Sequence, residues 1–122
     1  MKDVIIALVL FSLLIAAIIL NSFFVLSGTK DMLSQIDTFP VFGSPECASA
    51  LDELKESWIS FRRIAVLSLN YNEISRIDCL IDELACHIKN ENKNDFEYAK
   101  TVIKNMLKEI SRLEKLSADG IF

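Results

Sequence analysis

VIIALVLFSLLIAAIIL, Val4 to Leu20, is interrupted only by Ser12, and apolar residues resume at Phe23-Phe24-Val25-Leu26 after Asn21 and Ser22. The run from Val4 to Leu26 spans 23 residues, against the ~20 that a helix needs to cross a bilayer core. Ile, Leu and Val are favourable at bilayer depth, and no charge intervenes. A buried core helix would show a polar face, and this segment has none. The stretch therefore predicts a transmembrane anchor. It is longer than the ~7–15 apolar residues of a signal peptide, and Val25-Leu26-Ser27 is a poor cleavage site, which favours a retained anchor over a cleaved leader. Counting charges on its flanks sets Lys2 and the α-amino group against Lys30. The positive-inside rule then predicts a single-pass cell-membrane protein with its N-terminus cytoplasmic and its remaining domain extracytoplasmic.

Beyond this run the composition becomes ordinary. The hydrophobic fraction of 52% and the mean hydropathy of +0.34 are carried mainly by the first 26 residues. Two prolines and three glycines leave few turns, which favours long helices over many short strands. The net charge of -4 comes from interspersed acids and bases. No concentrated basic surface of the kind that binds nucleic acid is present.

Three helices are legible after a connector. Residues 28–45 form that connector, with a short helical piece around Lys30–Ile36, and they end in the turn-rich TFPVFGSPE. Ser44 is a candidate N-cap with Pro45 at the first helical position. Cys47, Leu51, Leu54, Trp58, Phe61 and Ala65 then repeat at helical spacing, with Ile64 and Leu67 widening the stripe. Asn72 is a candidate cap for a second helix carrying Ile74, Ile77, Ile81, Leu84 and Ile88. After the polar turn KNENKND a third begins near Asp95 and carries Phe96, Ala99, Ile103, Met106, Ile110 and Leu113, broadened by Val102 and Leu107. Short loops enforce antiparallel neighbours. The expected fold is all-α: a single N-terminal transmembrane helix (1–27), the connector (28–45) and an antiparallel three-helix bundle domain (46–122).

The side chains that could carry chemistry are few. Cys79 and Cys86 on one helix would be about 10 Å apart at ~1.5 Å per residue, beyond the roughly 7 Å a disulfide tolerates. Folding back at residues 70–72 leaves Cys47 roughly 13 Å out of level with Cys86, so no intramolecular disulfide is expected. Cys79 and Cys86 fall opposite the isoleucine stripe and read as packed against the connector or tolerated on the surface; a redox or palmitoylation site is the alternative. His87 is the only histidine. With Cys79 and Glu83 it draws half a metal site, which would need ligands from another helix. Asp78 and Asp82 read as a solvated face, and Trp58 and Phe61 as core anchors. No phosphate loop, G-x-S-x-G or H-E-x-x-H occurs. No catalytic, cofactor-binding or metal-binding residue is therefore assigned, no cofactor is expected, and an enzyme is disfavoured.

The ordered set of features resembles a known family. A hydrophobic helix precedes a helix centred on Trp58, followed by LSLNYNEISRID (Leu67 to Asp78), a helical hairpin with a polar turn, and LEKLSADGIF (Leu113 to Phe122). This is similar to the uncharacterised membrane-anchored family called domain of unknown function 4363, from clostridia and related Gram-positive bacteria. The chain has Asn72 where that family often has His, and Asp119-Gly120 where it tends to have Asn. The resemblance implies a host type and carries no activity.

Three functions remain open at this level. The leading one is a membrane-anchored interaction or accessory module whose partners are the lipid bilayer and another protein, itself possible as a membrane protein, with no nucleic acid. The alternative is a ligand-sensing helical bundle. The remote one is a metal- or thiol-dependent enzyme built on Cys79, Glu83 and His87.

Overall fold

Four helices make up the computed structural model, which describes residues 1–66 and 69–121, less the side chains of Ala118 and Ile121. They are α1 (Lys2–Asp37), α2 (Cys47–Ala65), α3 (Tyr71–Lys89) and α4 (Lys93–Ile121), with no strand among the described residues. The fold is all-α, as the hydrophobic periodicity predicts.

α1 is a single helix of 36 residues. The stretch expected as a connector with a short helical piece is helical from Gly28 through Asp37, continuous with the apolar run before it. Gly28 does not break the helix because it serves a close approach. A Cβ there would lie 2.5 Å from Phe61 Cδ2 of α2, so any other residue would have to displace the Phe61 ring for the helices to meet this closely. α1 stops where Pro40 disfavours helical backbone at Phe39, and Thr38 closes the last turn by donating its N–H and its hydroxyl to Ser34 O.

Val25, Thr29, Met32 and Ile36 are the buried positions of α1, a 4-3-4 stripe that makes its second half a fourth member of the bundle. Among the described residues, Thr29 is the only polar one in the buried set. Its hydroxyl donates to Val25 O and Leu26 O, 3.0 Å each, so a polar group sits in the core without an unpaired donor. Neighbouring pairs run α1–α2, α2–α3, α3–α4 and α4–α1, a closed ring. The register is antiparallel: Asp37 of α1 pairs with Lys104 of α4, and Ser22, fifteen residues earlier, meets Glu114.

The α2 and α3 stripes match their expected faces, with Ile88 at the end of α3 only half-buried. Cys47, Leu51, Leu54, Trp58, Phe61 and Ala65 are all buried, as are Ile74, Ile77, Ile81 and Leu84. In α4 the seam runs Phe96, Ala99, Ile103, Leu107, Ile110. Leu107 takes the position expected of Met106, which is half-buried, and Leu113 is 47% exposed. Ile64 is also exposed, and Leu67 lies outside the described residues. Burying each large apolar side chain contributes about 1.5–3 kcal/mol, so these seams hold the helices together.

The caps differ in detail from the sequence reading. α2 begins at Cys47 after Glu46, with no side-chain cap. Ser44 instead offers its backbone carbonyl to Cys47 N–H at 3.2 Å. α3 is capped by Asn70, whose side chain accepts from Asn72 N–H at 2.9 Å. α4 starts two residues before Asp95, where Asn92 Oδ1 accepts from Asp95 N–H and Asn92 Nδ2 donates to Asp95 Oδ2. This reciprocal pair is a variant of the capping box. Just before it, Glu91 has φ 56°. Asn92 N–H reaches His87 O and Glu91 N–H reaches Ile88 O, a Schellman closure with glutamate at the position that glycine normally takes.

Candidate functional site

The end of the bundle nearest the apolar half of α1 is formed by the end of α2, the start of α3 and the last turns of α4. The opposite end is closed by residues 38–46. There Phe39 and Phe42 pack tilted against Phe96, with ring centroids 5.5 and 5.1 Å away, and Lys100 Nζ lies 5.7 Å from the Phe39 centroid and 5.6 Å from that of Phe96. Gly43 turns this cover with φ 91°, a conformation that favours glycine.

Between α2 and α3, Asp78 joins two α2 residues. It accepts from Trp58 Nε1 at 2.6 Å and from the Arg62 guanidinium at 2.8 Å. The indole ring is 2% exposed, so its N–H needs this acceptor. Asp78 is therefore the partner of a core tryptophan, a role that its helical position alone did not reveal. Asp82 stays exposed and lines the same shallow cleft with Lys55, Ile59 and Ile81.

Between α1 and α2 lies a cleft of about 630 Å³. Phe24 stacks on Phe61 at its base (6.1 Å between centroids), and Gln35 Nε2 donates to Ser57 Oγ at 2.8 Å. Asp31 and Glu56 stand on its walls. A third groove, of about 710 Å³, lies between α1 and α4, lined by Phe23, Leu26, Ser27, Lys30, Leu33, Ser111 and Lys115 among others. Asp37 at its far limit is held below the usual carboxylate range, first by the hydrogen bond from Lys104 and then by the charges of Lys104 and Lys108. Glu109 is lowered in the same sense by the hydrogen bond from Arg112.

The residues of the drawn half metal site stay apart from any wider donor set. Cys79 and Glu83 are exposed and His87 is half-buried on α3. Among the described residues no three His, Cys, Asp or Glu side chains gather as a metal site would require. The cysteines are free thiols. Cys79 and Cys86 are exposed, and Cys47 is buried with its thiol donating to Val41 O at 3.1 Å.

The molecule is thus an all-α bundle built on one long helix whose first half is long and apolar enough to cross a membrane, with none of its apolar window buried. That property is common to membrane anchors and signal sequences. The family model "Domain of unknown function (DUF4363)" matches residues 43–121, and the chain belongs to that family. The match takes in α2, α3 and α4 and leaves α1 outside. Neither the curated proteins nor the solved structures give a match.

Proposed function

We propose that this chain is a single-pass membrane protein whose bundle stands on the extracytoplasmic side as an accessory module that binds another protein, without catalysis of its own. The observation that carries this reading is the division of apolar surface. The bundle buries its own seams, while Val4 to Leu14 leave every side chain exposed. A segment of that kind needs lipid around it, and the outer faces of α2, α3 and α4 are left for recognition. Tyr98 of α4, 73% exposed, supplies an aromatic of the type enriched at protein interfaces.

Two measurements test the reading. In a Cys86→Ser variant, Cys79 is the single exposed thiol. A membrane-impermeant maleimide should label it in intact cells; labelling only after lysis would reverse the orientation. A photocrosslinking residue at position 98 should give one discrete protein adduct in native membranes. A smear, or no adduct at positions 98 and 71 alike, would defeat the interaction role.

A further inference from the structure

Beyond Leu20, the large apolar side chains that stay exposed gather at one end of the bundle. They are Phe23 of α1, Ile64 and Val66 at the end of α2, Tyr71 at the start of α3, and Leu113 and Leu116 of α4. Among the described residues, the others beyond Leu20 are Val41, Ile59 and Tyr98. Contacts between the helices fix the level of this end. Phe61 lies against Gly28, so Ala65, one turn further along antiparallel α2, lies beside Phe24. Trp58 and Arg62 meet Asp78, and Tyr71 is seven residues before Asp78, roughly 10 Å nearer the apolar half of α1 at ~1.5 Å per residue. Ser22 meets Glu114, so Leu113 and Leu116 flank the level of Ser22.

The length of the apolar run brings a bilayer to the same level. About 20 residues cross a hydrocarbon core, and counted from Val4 they end at Phe23. The bundle begins at once, because Phe23 is 71% exposed while Val25 is 0% exposed in the core. Phe24, Val25 and Leu26 follow directly, so no polar spacer holds the bundle away from the lipid. Charges at this end suit a headgroup layer. Arg63 and Lys115 are exposed, and among the described residues neither is in an ion pair. α4 runs on past Ser22, so its last turns reach deepest. Lys115 and Asp119, four residues apart, keep one face of those turns among headgroups, and Leu113 and Leu116 occupy the neighbouring face. That division is the pattern of a helix lying in the interface, with its apolar side about 5–10 Å into the headgroup–acyl boundary.

We infer that the bundle is seated on the bilayer, with Ile64, Val66, Tyr71, Leu113 and Leu116 immersed in the lipid interface around the point where α1 enters it. Tyrosine is enriched at that depth, and contiguous exposed apolar surface of this kind marks a contact with protein or membrane. A protein docked from one side covers one flank of α1, whereas these groups come from all four helices across the end face, which is why lipid is the occupant. This inference rests on the membrane-anchored reading above.

The full chain tests it, with Cys79→Ser and Cys86→Ser removing the exposed thiols and an environment-sensitive fluorophore carried on one introduced cysteine. Val66→Cys, Tyr71→Cys and Leu116→Cys report on the seated end, Tyr98→Cys on the opposite end and Val9→Cys on the apolar run. In phosphatidylcholine vesicles holding at most one chain each, quenching by a lipid nitroxide near the headgroup is compared with quenching by iodide present on both faces. At 66, 71 and 116 the emission should shift to the blue, the lipid nitroxide should quench severalfold more than at 98, and iodide severalfold less. These positions are exposed, so the helical circular dichroism signal should not change, and Tyr71→Cys gives the reading where least packing is lost. Iodide quenching at the three positions equal to that at 98 would overturn the seat. Shielding from both quenchers would assign the end to a protein contact and overturn it as well. A label at 9 that iodide reaches and the lipid nitroxide does not would overturn the anchored reading itself. That result is distinct from a lipid-quenched label at 9 with iodide-quenched labels at the end, which would sink the seat alone.

Discussion

Between Val4 and Leu20, α1 exposes every side chain except the half-buried Ile15, whereas between Val25 and Ile36 the same helix buries four positions against its neighbours. Backbone geometry is common to both halves, so the difference lies in what the side chains can do. Uniform Leu, Ile and Val give the first half no preferred face. In the second half, Lys30, Asp31 and Asp37 occupy exposed positions and leave one stripe for packing. An exposed apolar surface and cohesion within a bundle are therefore separate properties, written one after the other along one rod.

The sharpest contrast uses one residue type in both regions. Phe96 is 0% exposed under Phe39 and Phe42, and Phe11 is 61% exposed. Phe96→Ala should destabilise the bundle by about 3–5 kcal/mol, while Phe11→Ala should leave its thermal melting unchanged. Equal shifts would erase the distinction between the two regions.

Gly28 sits on the bundle side of the boundary. Gly28→Ala should cost about 1–3 kcal/mol through displacement of Phe61, measured by denaturant melts in detergent. A neutral result would mean that Phe61 swings aside freely. At the α2–α3 seam, Asp78→Ala leaves the Trp58 N–H without its acceptor and should cost about 1–3 kcal/mol. Arg62→Ala removes only a half-exposed ion pair and should cost less than about 1 kcal/mol. The reverse order would make the ion pair the stronger tie.

A stabilising change is expected at the α3–α4 turn. Glu91→Gly relieves a left-handed conformation that costs a non-glycine residue about 1–2 kcal/mol, so the melting temperature should rise. The smallest effect is that of pH. The carboxyl of Asp37 titrates below its ordinary value because of Lys104, so its contribution is present above about pH 4. That contribution fades as pH falls through the lowered value. Asp37→Asn should therefore narrow the stability gap between neutral and acid conditions, and a steeper acid loss in the variant would contradict the assignment.

Most of the bundle was legible because its seams follow one period. Every α2 stripe residue from Cys47 to Ala65 that the 4-3-4 spacing selects is buried. The α1 contribution was hidden for two reasons. Val25 belongs by composition to the apolar run, and Thr29 interrupts the hydrophobic signal although its hydroxyl is satisfied within its own helix. Gly28 reads locally as a breaker, and only the nearness of Phe61 shows it to be a contact. Asp78 reads as part of a solvated face because a one-helix projection cannot show that Trp58 of the neighbouring helix points its N–H there. The α1–α4 groove is also a property of two distant segments, and no local pattern marks it.

The unbroken course of α1 through Gly28 has a mechanical consequence. Thirty-six residues make a rod about 54 Å long at ~1.5 Å per residue, and it has no joint between its apolar half and the bundle. Whatever tilt or rotation the apolar half adopts in its surroundings is imposed on α2, α3 and α4 together. The bundle is carried at a fixed height and azimuth, like a head on a rigid stalk, and it presents the same flank outward instead of swivelling on a leash.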